Sequence, residues 1–175
     1  MSTPFTRIVD ANLNRLAEGL RFLEEIARLV LDDAEITGQL KTLRHELVRG
    51  SLPFNLELLR SRDSINDVGI TLEAKDEDRR KDLPLLVVAN SRRAQESLRV
   101  LEEMAKLPEL ACNLDSDKFK RARFALYTLE QKLTLRLLRR ERLKKISGLY
   151  FIIDTRFLQD CSALEVARQA INAGV

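Results

Sequence analysis

The chain has 175 residues, with 30 Lys or Arg against 27 Asp or Glu, one His, two Cys, seven Phe, two Tyr and no Trp. That length suits one well-buried domain with room for part of a second. Two distant cysteines, Cys112 and Cys161, exclude a disulfide framework or a zinc site, the few aromatics exclude a stacking platform for nucleic acid, and the sequence carries neither a signal peptide nor a membrane-spanning run, which places it in the reducing cytoplasm.

Leu, Glu, Arg and Ala dominate, and Gly and Pro are scarce, so long helices are expected. Charge is uneven. Residues 131–145 carry seven Lys or Arg against Glu141 alone, so the remaining chain is net negative by three. Cations at the end of a helix offset its dipole. This run is therefore read as a solvated helix end, with nucleic-acid or anionic-membrane binding as the competing reading.

In chain order, Ser2-Thr3-Pro4 is a helix entry, and a first helix is predicted over 5–30 with Ile8, Leu16, Leu20, Leu23, Ala27 and Val30 on one apolar face. Asp32-Asp33 interrupts it. A second helix over 34–48 would turn Ile36, Leu40, Leu43 and Leu47 inward and end at Gly50-Ser51-Leu52-Pro53. A short helix over 55–61 leads into an irregular loop, 62–72, with an extended piece at 69–72. The charge run 73–81 reads as a solvated connection. A third long helix follows Pro84 to about Lys106 and stops at Leu107-Pro108. A fourth, capped by 113–116, runs over 117–145. Leu149-Tyr150-Phe151-Ile152-Ile153 is apolar, aromatic and branched, the pattern of a buried parallel strand. An amphipathic helix over 162–173 ends at Gly174.

The first and third long helices are copies. Residues 11–29 (ANLNRLAEGLRFLEEIARL) and 89–107 (ANSRRAQESLRVLEEMAKL) share 11 of 19 positions at an offset of 78. The shared polar pairs include Asn12/Asn90, Arg15/Arg93, Glu18/Glu96, Arg21/Arg99 and Glu25/Glu103. Residues 41–47 also align with 120–126 at an offset of 79. The expected fold is thus mainly α, a four-helix-type domain (1–145) from a duplicated helical hairpin (about 7–50 and 85–130), followed by a βα segment (146–175).

An amphipathic helix needs its leucines kept, not its polar residues. Glu and Arg three or four apart make weak intrahelical pairs, about 0.2–0.5 kcal/mol each, and that is one reading of the set. The other is a polar cleft between the related helices. In it Asn12, Arg15, Arg21, Asn90, Arg93 and Arg99 hold anionic groups, and Glu18 and Glu96 bind a cation. The loop Arg62-Asp63-Ser64-Ile65-Asn66-Asp67 supplies Asp63 and Asp67 as catalytic or Mg²⁺-binding carboxylates, or else is a capped turn. His45, between Arg44 and Glu46, is a candidate general base or phosphate contact, or an ordinary satisfied core or helix-edge histidine. There is no GxxxxGK or GxGxxG loop, so any nucleotide would be held by Arg side chains and helix N-termini. The single 62–67 loop, without a copy in the second half, favours an asymmetric site. Its walls would be 15–25 and 93–103, and the loop would close it.

ANLNRLAEGLRFLEE, LRHEL, RDSINDVG and ANSRRAQESLRVLEE with ARFALYTLE resemble the helical domain found before, and often fused to, bacterial thiamine-phosphate synthase (thiamine-phosphate pyrophosphorylase). That domain is described as a hydroxymethylpyrimidine-phosphate kinase, and the likeness covers about Arg7 to Glu130. GLYFIID (148–154) and ALEVARQAINAGV look like the first strand and helix of the synthase (β/α)₈ barrel, truncated here. The resemblance implies a transferase of thiamine biosynthesis that uses ATP and Mg²⁺ to make hydroxymethylpyrimidine diphosphate. Arg44 and Arg62 join the phosphate-holding set. Synthase activity is not expected of these 175 residues. The partners implied are a small-molecule pyrimidine phosphate and a possible second copy of the chain, not nucleic acid or membrane. The alternative is a non-catalytic helical module that dimerises or regulates the synthase.

Overall fold

A computed structural model of the chain describes residues 4–48, 52–63, 65–67, 82–144, 151–158 and 162–174. The molecule is mainly helical, and no strand occurs among the described residues. Among the described residues the α-helices are, in order, α1 (Pro4–Glu25), α2 (Ala34–Val48), α3 (Leu52–Arg60), α4 (Leu83–Met104), α5 (Ser116–Lys144) and α6 (Ala163–Asn172). Two compact units result, 1–138 and 139–175. No helix among the described residues is long and apolar enough to cross a membrane.

Local chemistry explains the boundaries. Pro4 opens α1, where its missing N–H costs nothing. After Glu25 the winding loosens to a π-turn, Ile26–Val30, closed by Leu31 N–H donating to the Ile26 carbonyl (3.1 Å). Asp32 then takes a left-handed conformation (φ 52°), which Asp tolerates better than most residues. That reversal frees Asp33 to cap α2, its carboxylate accepting from Ile36 N–H at 3.0 Å. Asp82 caps α4 by accepting from Leu85 N–H (2.9 Å), with Pro84 in the first turn, and Asp115 caps α5 by accepting from Lys118 N–H (3.1 Å). Helix α3 starts at Leu52, earlier than its sequence suggested, because Pro53 is accommodated in a first turn.

Leu16, Leu20, Leu23 and Ala27 join Ile36, Leu40, Leu98, Leu101, Leu126 and Leu133 in one core, all fully buried. Each buried leucine contributes about 1.5–3 kcal/mol. Val9, not Ile8, supplies the core at the start of α1, and Ile8 is left 41% exposed. Helix α1 packs closely on α4 because Gly19 has no side chain. A Cβ there would lie 3.2 Å from Ala94 Cβ and 3.3 Å from the Asn90 carbonyl oxygen.

The smaller unit corrects one expectation. Residues 151–153, from the strand placed at 149–153, form no strand, and Phe151 and Ile152 are 50% and 76% exposed. Residues 149 and 150 lie outside the described residues. A parallel strand needs a neighbour for its backbone groups, and no described residue provides one, so the barrel fragment is not supported. Helix α6 does form, with Ser162 capping it by accepting from Glu165 N–H (3.1 Å). The extended piece expected at 69–72 and the charge run 73–81 fall outside the described residues.

Candidate functional site

The shared polar residues of the two copies do two different jobs. The first is a clamp within each hairpin. In the first hairpin Arg21 donates to Glu25 (2.9 Å) and lies 3.7 Å from Glu24, while Arg44 of α2 donates to Glu24 at 2.9 Å. In the second, Arg99 meets Glu102 (2.8 Å) and Glu103 (2.7 Å), while Arg123 of α5 donates to Glu102 at 2.9 Å. Glu24 and Glu102 are 5% and 4% exposed. Each is a buried carboxylate held between an arginine of its own helix and one from the next. Such a carboxylate is stable only while both partners stay. Asn12 and Asn90 also act alike, donating at 2.9 Å to the carbonyls of Ile8 and Leu86 one turn back.

The second job is confined to the first copy. A groove of about 1070 Å³ runs along α1 beside residues 61–63 and Asp67, and its lining includes Asn12, Arg15, Glu18, Arg62, Asp63 and Asp67. Arg7, Asp10 and Asn14 line it too. The loop is tied to α1 at two points. Arg62 grips Asp10 side-on, Nε donating at 2.7 Å and Nη2 at 3.0 Å, with Asn14 Oδ1 3.5 Å from Nη2. Arg7 donates to the Asp63 carbonyl at 2.8 Å and lies 3.7 Å from the Asp67 carboxylate. Within the loop Asp63 accepts from the Asn66 backbone N–H (3.2 Å) and side-chain amide (3.0 Å), a capped turn. Arg15 and Glu18 are exposed and pair with no other described residue.

Of the sequence candidates, Asn12, Arg15, Glu18, Arg62, Asp63 and Asp67 therefore share one groove. Arg21, Arg44 and Arg99 sit in the clamps. Arg93 and Glu96 are exposed on α4 outside the groove, Asn90 bonds its own helix, and His45 sits half-buried on α2. Among the described residues the groove takes its walls from α1 and the loop, so the second wall expected at 93–103 is not part of it. Sequence reasoning missed Arg7, Asp10 and Asn14. It also passed over Glu24/Glu102, although that pair is identical in both copies.

The hydrogen bonds that Arg62 donates to Asp10, then the charge of that carboxylate, raise the Arg62 pKa above the ordinary arginine value. Arg123 is raised by its hydrogen bonds to the Tyr127 hydroxyl (3.0 Å) and Glu102. Both guanidiniums are fixed cations. Overall the groove lining sets three arginines against four carboxylates, a formal excess of one negative charge. No group of three or more His, Cys, Asp or Glu able to hold a metal by itself occurs among the described residues. Mg²⁺ commonly needs only one or two carboxylates when phosphate oxygens supply further ligands. Two loop carboxylates, Asp63 and Asp67, line the groove, and Asp63 already accepts from Asn66 through both oxygens, so a site built from protein ligands alone is not present among the described residues.

The ThiD2 family model matches residues 7–132 of the chain. The chain belongs to the ThiD2 family. This ThiD2 chain is 42% identical over 117 residues to a protein named thiamine-phosphate synthase from Rhodopirellula baltica, covering 65% of the chain and 31% of that relative. It is 36% identical over 170 residues to one of the same name from Thermosynechococcus vestitus, covering 97% of the chain and 46% of the relative. A third, from Synechocystis, is 42% identical over 132 residues, 75% of the chain and 36% of the relative. The chain thus spans less than half the length of these relatives. No solved structure matches it.

Proposed function

We propose that this chain serves thiamine biosynthesis and that its helical domain is a transferase. It would move the γ-phosphoryl group of ATP onto hydroxymethylpyrimidine phosphate to give the diphosphate and ADP. Membership of the ThiD2 family and kinship with thiamine-phosphate synthases support the pathway. The observation that carries the chemistry is the groove. It gathers Arg7, Arg15 and Arg62 with Asp63 and Asp67, and its excess negative charge favours a polyphosphate that arrives with its own cation over a bare anion.

The chemistry asks little covalent work of the protein. The acceptor is itself a phosphate, largely ionised at neutral pH, since a phosphate monoester loses its second proton near pH 6. No general base is then required, so His45 outside the groove is no obstacle. Arg15 and Arg62 would hold the phosphoryl groups in line and neutralise charge as it moves between them, and Asn12 would orient the acceptor. Asp63 and Asp67 would hold Mg²⁺, which when bound shields the phosphate oxygens from one another. The tie between Arg7 and the loop would keep those carboxylates at the groove's mouth.

The test is direct. The purified chain, ATP, Mg²⁺ and hydroxymethylpyrimidine phosphate are followed by ³¹P NMR. Appearance of the pyrimidine diphosphate in step with ADP is expected, and an unchanged monophosphate removes the kinase reading for this chain.

A further inference from the structure

We infer that Asp10 is a positioning residue, which holds Arg62 side-on so that its outer Nη1 edge forms the anion-binding wall of the groove for a phosphoryl group. Four observations carry this. The pair is lopsided: the Asp10 side chain is 11% exposed and the Arg62 side chain 50%. Its carboxylate is sealed while its guanidinium opens outward. The contact uses Nε and Nη2, and Nη1 makes no hydrogen bond to another described residue. A guanidinium fixed in this fork is pre-organised for a second planar or tetrahedral oxyanion on its free edge. The pair is also absent from the second copy, where position 10 corresponds to Val88 and position 7 to Leu85. A helical hairpin of this kind therefore folds without it, unlike the Glu24 and Glu102 clamps that both copies keep. Finally, Arg15 lines the same groove without a described partner, so the groove offers a second cation to an anion held by Arg62.

The sign of one substitution separates positioning from simple ion pairing. Asp10→Asn removes a negative charge from the groove. If Asp10 were only a counter-ion, anion binding would tighten. If Asp10 aims Arg62, binding weakens despite the more favourable charge. The inference rests on the reading that the groove takes phosphoryl groups, and the experiment keeps the two apart by measuring binding without turnover. Pyrophosphate and, separately, inorganic phosphate are titrated into the 175-residue chain in the presence of Mg²⁺ by calorimetry. Pyrophosphate stands for the nucleotide chain and phosphate for the acceptor's monoester, and whichever binds more tightly assigns the source. Asp10→Asn and Arg62→Lys are each expected to weaken the tighter ligand about tenfold, a loss of ~1.4 kcal/mol. Arg62→Lys keeps the charge and the fold but loses the fork, so it stands in should Asp10→Asn fail to fold. Unchanged or tighter binding by Asp10→Asn, unchanged binding by Arg62→Lys, or no binding of either anion by the unaltered chain overturns the inference. Weakened binding in a chain without kinase activity supports the inference and removes only the proposed reaction. Kinase activity indifferent to both substitutions does the reverse.

Discussion

The two hairpins share an interior and differ at one end. Both use an arginine, a buried glutamate and an arginine from the next helix to tie their helices together; the arm from the next helix is 2.9 Å in each, while the arm from the same helix is 3.7 Å in the first and 2.8 Å in the second. Among the described residues only the first adds Arg7, Asp10 and a tethered loop, and these line the groove along α1. Internal identity in this chain thus tracks what every hairpin needs to pack. Departure from identity tracks where one hairpin acquired a site.

The strongest way to break the comparison is at the helix crossing. Gly19→Val is expected to destabilise by about 3 kcal/mol, the upper range for overpacking, because the neighbours of its Cβ include a backbone carbonyl. The matching position of the other copy, Ser97, already carries a Cβ and is buried, so Ser97→Ala should change stability by less than about 1 kcal/mol. Urea unfolding followed by circular dichroism measures both. Equal effects would show that the crossing is symmetric after all.

The clamps come next. Arg44→Ala and Arg123→Ala each strand part of a buried carboxylate, at a cost of about 2 kcal/mol, and the two values should agree within the error of the unfolding curves. A loss confined to one hairpin would mean that the shared residues are not doing the same job. The smallest effect sharpens the surface. A hydrogen bond from Lys106, with the nearby charges of Arg99 and Lys106, holds the Glu103 pKa below the usual glutamate range. A depressed folded-state pKa means stability that is present above the unfolded pKa and fades as pH falls through the folded one. Glu103→Gln should therefore lower the neutral plateau of a stability-against-pH profile slightly and flatten its acid limb to match, the two chains converging at low pH.

Much of the fold was legible because helices announce themselves. The leucine spacing of 16–27 and 36–47, the cap within 113–116 and the helix openings at Pro4 and Pro84 all act within a few residues, where sequence periodicity and hydrogen-bonding chemistry operate. The expected strand at 149–153 was a misreading over its described part, 151–153, since a strand exists only through partners elsewhere and an apolar run does not reveal them. The site was half legible. Repeat identity led to Arg15 and Glu18, but equally to Arg21, Arg44 and Arg99, which clamp helices. Identity between copies does not separate a packing role from a binding role. Asp10 was invisible by that criterion because its counterpart is Val88. The useful signal was the opposite one, a charged residue next to the core in one copy and an apolar residue in the other.

The central claim is that the groove of the first copy, not the repeated set as a whole, carries the activity. Arg15 and Arg93 are the same residue of the repeat, both exposed, one inside the groove and one outside it. The direct measurement is kcat/KM for ATP-dependent phosphorylation of hydroxymethylpyrimidine phosphate by Arg15→Ala and by Arg93→Ala. A loss of about a hundredfold for Arg15→Ala, corresponding to ~2.7 kcal/mol of transition-state stabilisation, with less than about a twofold change for Arg93→Ala, is the expected result. Equal losses in the two variants would contradict it and return the site to a shared cleft between the copies.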